Sequence, residues 1–396
     1  MVYNHHCRVD ARTARLARQA ARRLKGRFGR PPEVIGRAPG RLEMLGGHTD
    51  YNEGFVTAIA IEQATVAAVA SRDDALVRVW TDWGETEAQL DLRDLSSGAR
   101  GDWSDYVAGV YAELAAEGCA PPGADVAIAG DVPVGGGVSS SAALEVACAV
   151  ALSSLAGCAI EPERLALLCQ RVENDYVGMR CGILDQFTSV FGRPGSVMWL
   201  DCRTREHRPV SMAGVSACFV VCDTNRPREL VGSAYNERRA QCEQAAQILG
   251  VRALRDIDSA TLRARAGELD ATLLRRARHV VSENERVQAG VAALERGDAL
   301  ALGKLINASH VSLRDDYEVS CPELEAMRAA ALGAPGCLGA RLVGAGFGGC
   351  AMALVEEECV GEFVPQVESS YRQATGLEPS IFATGAGDGA GVVAID

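Results

Sequence analysis

Lysine is nearly absent from this chain, and its scarcity excludes a whole class of phosphate-binding site. Within the 396 residues the lysines are Lys25 and Lys304, and neither lies near a glycine-rich segment. A phosphate loop of the G-x-x-x-x-G-K-[ST] type needs a lysine to contact the transferred phosphate. Any phosphate site here must therefore rely on backbone amides, hydroxyl groups, arginine or a metal ion.

The 14 cysteines include no Cys-x-x-Cys pair, the spacing typical of zinc sites and thiol redox motifs. Several of them, such as Cys148, Cys169 and Cys222, lie within apolar segments, where free cysteine is common. We therefore expect reduced thiols in a cytoplasmic protein rather than a disulfide framework or a zinc site.

Signals of membrane or nucleic-acid proteins are also missing. Residues Met1–Ala14 lack the apolar core of a signal peptide. The most apolar run, Ser141–Ile160, carries Glu145 and several serines, so a buried core helix is favoured over a membrane span. The net charge of −12 argues against a nucleic-acid partner, and the basic stretch Arg15–Arg30 has its apolar residues at helical spacing, which predicts one solvated helix face. No oligomeric partner is indicated.

The strongest positive signal is Asp131–Leu144, which reads D-V-P-V-G-G-G-V-S-S-S-A-A-L. The segment follows a strand-like stretch and precedes a helix-like one. Successive glycines allow backbone N–H groups to converge, and a helix N-terminus adds partial positive charge, so the loop is suited to a polyphosphate. A dinucleotide fingerprint is excluded because Ser140 stands where its third glycine belongs. A flexible glycine turn is the alternative.

Two further segments carry polar residues in unusual settings. Val34–Ala38 is predicted as a strand and Gly46–Gly54 as a polar loop. The stretch Gly36–Gly54 places polar side chains beside glycines, which is either a site for a polyhydroxylated ligand or an exposed loop. Asp185 lies among apolar residues, so its carboxylate must be ion-paired or functional. Arg341–Cys350 is a second glycine-rich turn, either a tight hairpin or a backbone that approaches a ligand.

These segments together resemble the galactokinase branch of the GHMP superfamily, named for galactokinase, homoserine kinase, mevalonate kinase and phosphomevalonate kinase. Ala38–Asn52 is similar to the family signature A-P-G-R-V-N-L-I-G-E-H-T-D-Y-N, and Cys181–Gln186 resembles the catalytic C-G-I-M-D-Q. The resemblance covers nearly the whole chain; the other matching stretches are Pro133–Leu144, Arg278–Glu283, Ser312–Leu324 and Arg341–Cys350.

The resemblance implies an α+β, two-lobed GHMP kinase fold. Residues 1–200 would form an N-terminal nucleotide- and sugar-binding lobe with a mixed sheet and helices, like the second domain of a ribosomal protein. Residues 201–396 would form a ferredoxin-like C-terminal lobe, whose final segment is a candidate to pack back on the first lobe.

The resemblance also implies an ATP- and Mg²⁺-dependent sugar 1-kinase. Asp185 would accept the proton of the anomeric hydroxyl or activate it electrostatically, and Arg41 would hold Asp185 ionised and stabilise the transferring phosphoryl group. Ser140 and Glu173 would bind Mg²⁺. Trp103 would contact adenine, and the phosphates would lie on Gly135, Gly136, Gly137, Val138, Ser139, Ser140 and Ser141. The positions of the sugar-binding signature are Glu43, Gly47, His48, Asp50, Gly182 and Tyr235.

Two signature positions depart from the family in chemical character. Glu43 replaces an asparagine, and Gly47 replaces a glutamate that contacts the carbon-6 hydroxyl of the sugar. Losing one charged hydrogen bond costs about 1.5–3 kcal/mol unless another group compensates. If this segment is a strand, Glu43 would share a face with Arg41, and Glu43 is a candidate to compensate. We expect a Gly47→Glu substitution to shift preference toward D-galactose.

D-galactose remains the first expectation for the substrate, because His48, Asp50 and Tyr235 are retained. L-arabinose, D-galacturonate and an N-acetylhexosamine are the alternatives within the same reaction type. A non-catalytic sensor of sugar and ATP is the alternative of another class, although Arg41, Asp185 and the serine-rich segment are intact.

Overall fold

A computed structural model describes residues 10–95, 98–226 and 231–394, without the side chains of residues 231–233. The described helices are α1 (Ala11–Phe28), α2 (Ser104–Ala116), α3 (Ser140–Leu155), α4 (Pro162–Arg171), α5 (Leu184–Phe191), α6 (Val231–Ile248), α7 (Ser259–Ala264), α8 (Ala271–Glu295), α9 (Ala299–Asp315), α10 (Pro322–Leu332) and α11 (Val360–Thr375). The strands are β1 (Val34–Leu45), β2 (Phe55–Ser71), β3 (Leu76–Thr81), β4 (Thr86–Asp91), β5 (Ala124–Gly130), β6 (Ser196–Asp201), β7 (His207–Ser211), β8 (Ala217–Asp223), β9 (Cys337–Leu342), β10 (Cys350–Glu356), β11 (Ser380–Thr384) and β12 (Gly391–Val392). None of these helices is both long and apolar enough to cross a bilayer.

The first sheet has eight strands in the order β12-β1-β2-β5-β3-β4, with β6 paired to β2 and β7 to β6. Its β3–β5 pair is parallel and its other pairs are antiparallel, so the sheet is mixed, as the resemblance implied. Alternate residues of β2 face opposite sides. Val66 packs with helix α1, whereas Val69 packs with helices α2 to α5. The sheet is therefore covered on both faces.

The second sheet has four antiparallel strands in the order β11-β8-β10-β9. Along the chain its elements run strand, helices, two strands, helix, strand, which is the ferredoxin-like arrangement. The ferredoxin-like second lobe is thereby confirmed. Leu42 and Ile59 of the first sheet share an apolar cluster with Phe219 and Met352 of the second, so the two lobes pack directly against each other.

The first lobe takes residues from both ends of the chain. The division predicted near residue 200 falls in the β6–β7 hairpin, because β7 continues the first sheet to Ser211. At the other end, β12 pairs with β1, with Val392 opposite Gly36.

A disulfide between Cys119 and Cys158 corrects the expectation that all the thiols are reduced. Cys119 follows helix α2 and Cys158 follows helix α3. The two cysteines are 39 residues apart in sequence, so no short spacing signalled the pair; they meet because the two helices pack side by side. The other cysteines of the described residues form no further disulfide with one another.

Helix α3 lies so close to strand β1 that only glycine fits at position 36. A Cβ atom on Gly36 would lie 2.3 Å from the Ala147 carbonyl oxygen and 2.8 Å from the Ala151 nitrogen, both of them backbone atoms of α3. We expect Gly36→Ala to lower the free energy of unfolding by about 1–3 kcal/mol or more, because a packed backbone must move.

Gly26→Ala is the matched control for this prediction. Gly26 lies in helix α1, and a Cβ there would meet nothing within 4 Å. The substitution should stabilise the protein by about 0.5–1 kcal/mol, since glycine is entropically unfavourable in a helix. Urea unfolding measures both changes, and equal effects would contradict the close approach of α3 to β1.

Candidate active site

A cavity of about 330 Å³ lies where the two lobes meet. Its walls come from β1 and the segment after it, the β5–α3 loop, the start of α5, helix α6 and the β9–β10 turn. Gly47, Gly136 and Val138 are not part of its lining, and the predicted residues that line it are Arg41, Glu43, His48, Asp50, Trp103, Gly135, Gly137, Ser139, Ser140, Ser141, Glu173, Gly182, Asp185 and Tyr235.

The glycine-rich loop between β5 and α3 has a backbone that is fixed from both lobes. Gly135 and Gly137 have φ angles of 74° and 85°, in the left-handed region that favours glycine. The amide of Arg41 donates to the Val138 carbonyl at 3.0 Å, and the amide of Cys350 donates to the Gly136 carbonyl at 2.8 Å. The loop therefore presents a preformed backbone at the N-terminus of α3.

Arg41 and Glu43 lie on strand β1, which extends beyond the end at Ala38 that was predicted for it. The strand continues to Leu45, and its register against β2 shifts between Pro39 and Arg41. Pro39 and Gly40 lie at this irregularity within the strand. As residues two apart, Arg41 and Glu43 point to the same face, and both side chains line the cavity.

Asp185 is joined directly to the glycine-rich loop. Arg41 donates to both of its carboxylate oxygens, with Nε–Oδ1 at 2.8 Å and Nη2–Oδ2 at 3.1 Å. The Ser139 hydroxyl also donates to Oδ2, and Arg41 Nη1 donates to the Gly137 carbonyl at 2.6 Å. The carboxylate is thus held in one orientation beside the loop that would carry phosphates.

The Arg41 side chain is buried, and its charge balances more than one acid. Burial alone would lower the pKa of Arg41, but the carboxylates of Asp185 and Glu43 raise it overall. The guanidinium therefore remains charged at the centre of the cavity wall.

Asp50 and Gly182 form one side of the cavity in close contact. A Cβ on Gly182 would lie 2.0 Å from Asp50 Oδ2, so no other residue fits at position 182 without moving Asp50. Burial, followed by the nearby carboxylates of Asp185 and Glu43, raises the pKa of Asp50 to about 7.

His48 belongs to a cluster of aromatic hydroxyl groups. His48 Nδ1 is 2.7 Å from the Tyr51 hydroxyl, which is 2.7 Å from the Tyr317 hydroxyl. The Tyr235 ring lies 5.6 Å from the His48 ring, centre to centre. Burial, with help from His279 and Arg341, lowers the pKa of His48 well below its usual value, so the imidazole is neutral.

Arg341 is a site residue that sequence reasoning missed in this role. Its side chain is fully buried and donates from Nη2 to Glu43 Oε1 at 2.7 Å. Arg341 had been noted only as the first residue of a glycine-rich turn, and its partner lies 298 residues away. That turn forms the β9–β10 hairpin and also reaches the cavity through Gly344.

Three aromatic side chains from one region of the sequence line the cavity. Trp103 lines it together with Trp83 and Tyr106, which were not predicted. Asp105 holds the segment before Trp103, accepting from the amides of Arg100 at 2.8 Å and Gly101 at 2.7 Å. A flat apolar ligand such as a nucleobase fits this wall.

Glu173 is a buried carboxylate for which the described residues supply no ion pair. Burial raises its pKa, and a hydrogen bond from Ser141 opposes the rise. Ser140, the first residue of α3, lines the same part of the cavity. A carboxylate with hydroxyl groups beside it is a donor set suited to a hard divalent cation.

Family models match this chain in both lobes and across the sugar-binding segment. The GHMP kinases N terminal domain matches residues 105–193, and the GHMP kinases C terminal domain matches residues 291–373. The galactokinase galactose-binding signature matches residues 23–71. The fold and the site therefore define a GHMP kinase.

Individual relatives narrow the class further. The chain is 45% identical over 376 residues to the galactokinase of Roseiflexus sp. (strain RS-1), covering 94% of this chain and 96% of that one. It is 44% identical to the galactokinase of Chloroflexus aurantiacus, covering 91% and 94%. The crystal structure of Lactococcus lactis galactokinase complexed with galactose superposes with a TM-score of 0.89 at 34% identity, covering 93% and 98%. This chain belongs to the galactokinase family.

A more distant likeness concerns the fold alone. Mevalonate kinase from Methanococcus jannaschii has a TM-score of 0.65 at 17% identity, covering 90% of this chain and 98% of that one.

Proposed function

We propose that this protein is a galactokinase that transfers the γ-phosphoryl group of ATP to the anomeric hydroxyl of D-galactose. The observation that carries the proposal is the direct connection of Asp185 to the glycine-rich loop through Arg41 and Ser139. The galactose-binding signature and the galactokinases similar over nearly the whole chain support the choice of sugar.

In this reaction the sugar oxygen bonds to the γ-phosphorus while the bond from that phosphorus to the β–γ bridging oxygen breaks. Asp185 would accept a hydrogen bond from the anomeric hydroxyl and orient it, and the released proton passes through this carboxylate to solvent. Arg41 lies between Asp185 and the loop, where it would stabilise negative charge on the transferring group. Phosphoryl transfer requires mainly such positioning and charge stabilisation.

The ligand-binding roles follow the geometry of the cavity. The amides of Gly135–Ser141 at the start of α3 would hold the phosphates, and Trp103 would contact the adenine. His48, Asp50, Gly182 and Tyr235 would contact the sugar, because they surround the part of the cavity beside Asp185.

The residues of the cavity fit a magnesium ion bound with ATP. Among the described residues that line the cavity, the acids Glu43, Asp50, Glu173 and Asp185 face one cationic side chain, that of Arg41. Side chains alone therefore do not neutralise a triphosphate. We infer that Glu173 and Ser140 hold Mg²⁺, which would supply the missing positive charge.

A coupled assay of ADP release with Mg-ATP tests the proposal across D-galactose, L-arabinose, D-galacturonate and N-acetyl-D-galactosamine. D-galactose should give the highest kcat/KM, and NMR of the product should show phosphate on the anomeric oxygen. Sugar binding without ADP release from any of these sugars would instead support a sensor.

The pH dependence of sugar use should report the ionisation of Asp50. The raised pKa of about 7 leaves part of Asp50 protonated near neutral pH, and the ionised form is the better acceptor for a sugar hydroxyl. We expect kcat/KM for D-galactose to rise as the pH increases through about 7. A carboxyl with a raised pKa keeps its proton in the folded state at pH values where the unfolded chain has lost it, so Asp50 should lower stability as the pH rises from about 4 to about 7 and have no further effect above that range.

Asp50→Asn removes this titration and provides the comparison. Its kcat/KM should be lower than that of the natural protein and should lose the inflection. An unchanged inflection in the variant would assign it to another group.

A further inference from the structure

We propose that Arg341 fixes the carboxylate of Glu43 so that Glu43 selects a neutral sugar by accepting a hydrogen bond from one of its hydroxyl groups. This inference rests on the proposed function. Glu43 lines the cavity, its side chain is 5% exposed, and Arg341 is fully buried behind it.

One oxygen of the Glu43 carboxylate remains available to a ligand. Oε1 accepts from Arg341 Nη2 at 2.7 Å, and no hydrogen bond from the described residues reaches Oε2. Because Glu43 lines the cavity and Oε2 is not among the fully buried polar atoms that lack a partner, this oxygen is open to the cavity. A sugar hydroxyl in the cavity would supply the missing donor.

Arg341 is held too firmly to follow a different rotamer of Glu43. Its Nη1 donates to the Met44 carbonyl at 3.1 Å and its Nε to the Leu342 carbonyl at 2.9 Å. Glu283, which is also fully buried, lies 3.6 Å from Nη1. Arg341 is therefore a positioning residue that sets the direction of the Glu43 carboxylate.

The ion pair also explains the glycine at position 47. A Cβ on Gly47 would lie 2.8 Å from Arg341 Nη2 and 3.2 Å from Glu43 Oε1. The pair thus fills the space that a side chain at position 47 would take. Gly47→Glu alone would displace Arg341 from Glu43, so the shift toward D-galactose expected from the sequence is not expected from that single change.

The charge of this region determines which sugars fit. Glu43, Asp50 and Asp185 line the cavity together, and the Arg41 guanidinium already binds Asp185. The side chains therefore favour neutral hydroxyl donors and repel a sugar carboxylate. D-galacturonate is disfavoured by this arrangement.

Calorimetric dissociation constants for D-galactose and its 2-, 3-, 4- and 6-deoxy derivatives test the proposal in the natural protein and in Glu43→Gln. Loss of the one hydroxyl that Glu43 binds should weaken binding to the natural protein about tenfold to 150-fold. Glu43→Gln keeps an acceptor for Arg341. In this variant, removing that one hydroxyl should weaken binding only a few-fold, and removing each of the other hydroxyls should weaken binding as much as in the natural protein. The preference for D-galactose over D-galacturonate should also fall.

Asp125→Asn is the control, because Asp125 is a fully buried acid that accepts hydrogen bonds from Arg78 and does not line the cavity. It should alter the melting temperature and leave every deoxy-sugar penalty unchanged. Arg341→Lys should reduce the loss of binding caused by removing the same hydroxyl that Glu43→Gln affects. Equal penalties in the natural protein and in folded Glu43→Gln would overturn the role of Glu43. If Glu43→Gln changes the binding of one deoxy-sugar selectively but the natural protein releases no ADP, the role of Glu43 stands and the kinase proposal is refuted.

Discussion

Replacing Asp185 by alanine is expected to lower kcat for galactose-dependent ADP release by about 100-fold to 10,000-fold, the range of a proton-accepting or hydroxyl-orienting carboxylate. Asp185 lines the cavity and is bound by Arg41 and Ser139. The variant removes the acceptor for the anomeric hydroxyl, while Arg41 keeps its hydrogen bond to the Gly137 carbonyl. The fold should therefore persist, as measured by circular dichroism and thermal melting.

Asp125→Ala provides a control for loss of a buried acid bound to arginine. Asp125 is fully buried, accepts from Arg78 at 2.6 and 2.8 Å, and lies on β5 away from the cavity lining. It should lose stability and keep kcat. Full activity in Asp185→Ala would remove this carboxylate from the mechanism.

Glu173→Gln is expected to lower activity at a fixed Mg²⁺ concentration by about 100-fold or more, since loss of a metal ligand removes several kcal/mol of charge stabilisation. Part of the loss should be recovered at higher Mg²⁺, because Ser140 and the phosphates remain as ligands. A titration of Mg²⁺ at saturating ATP and D-galactose measures the shift.

Glu145→Gln is the matched control for Glu173. Glu145 is a fully buried glutamate in α3, receives a hydrogen bond from Gln186 at 3.4 Å and does not line the cavity. Burial raises its pKa well above the usual range, so an amide reproduces its neutral state. Its Mg²⁺ dependence should match that of the natural protein. A Glu173→Gln variant with an unchanged Mg²⁺ requirement would contradict the assignment of Glu173 as a ligand.

Local patterns in the sequence predicted local structure well. The basic stretch Arg15–Arg30, whose apolar residues recur at helical spacing, lies largely in helix α1 (Ala11–Phe28), which an aspartate caps at its start and a glycine ends. The glycine-rich loop was also expected from its own residues, since positive φ angles at Gly135 and Gly137 need no distant partner.

Features that depend on distant partners were missed. Strand β1 continues through Arg41 and Glu43 by pairing with β2, and these two side chains bind partners 144 and 298 residues away in sequence. Strand β12 has two residues, too few to show a period, and exists by pairing with β1. The Cys119–Cys158 disulfide likewise depends on helix packing rather than on a sequence motif.

The most direct test of the account is a crystal structure with D-galactose and a non-hydrolysable ATP analogue. We predict the anomeric oxygen within hydrogen-bonding distance of Asp185 and the γ-phosphate over the Gly135–Ser141 loop. A sugar bound with another hydroxyl facing Asp185, or a triphosphate held away from this loop, would contradict phosphoryl transfer to the anomeric oxygen at this site.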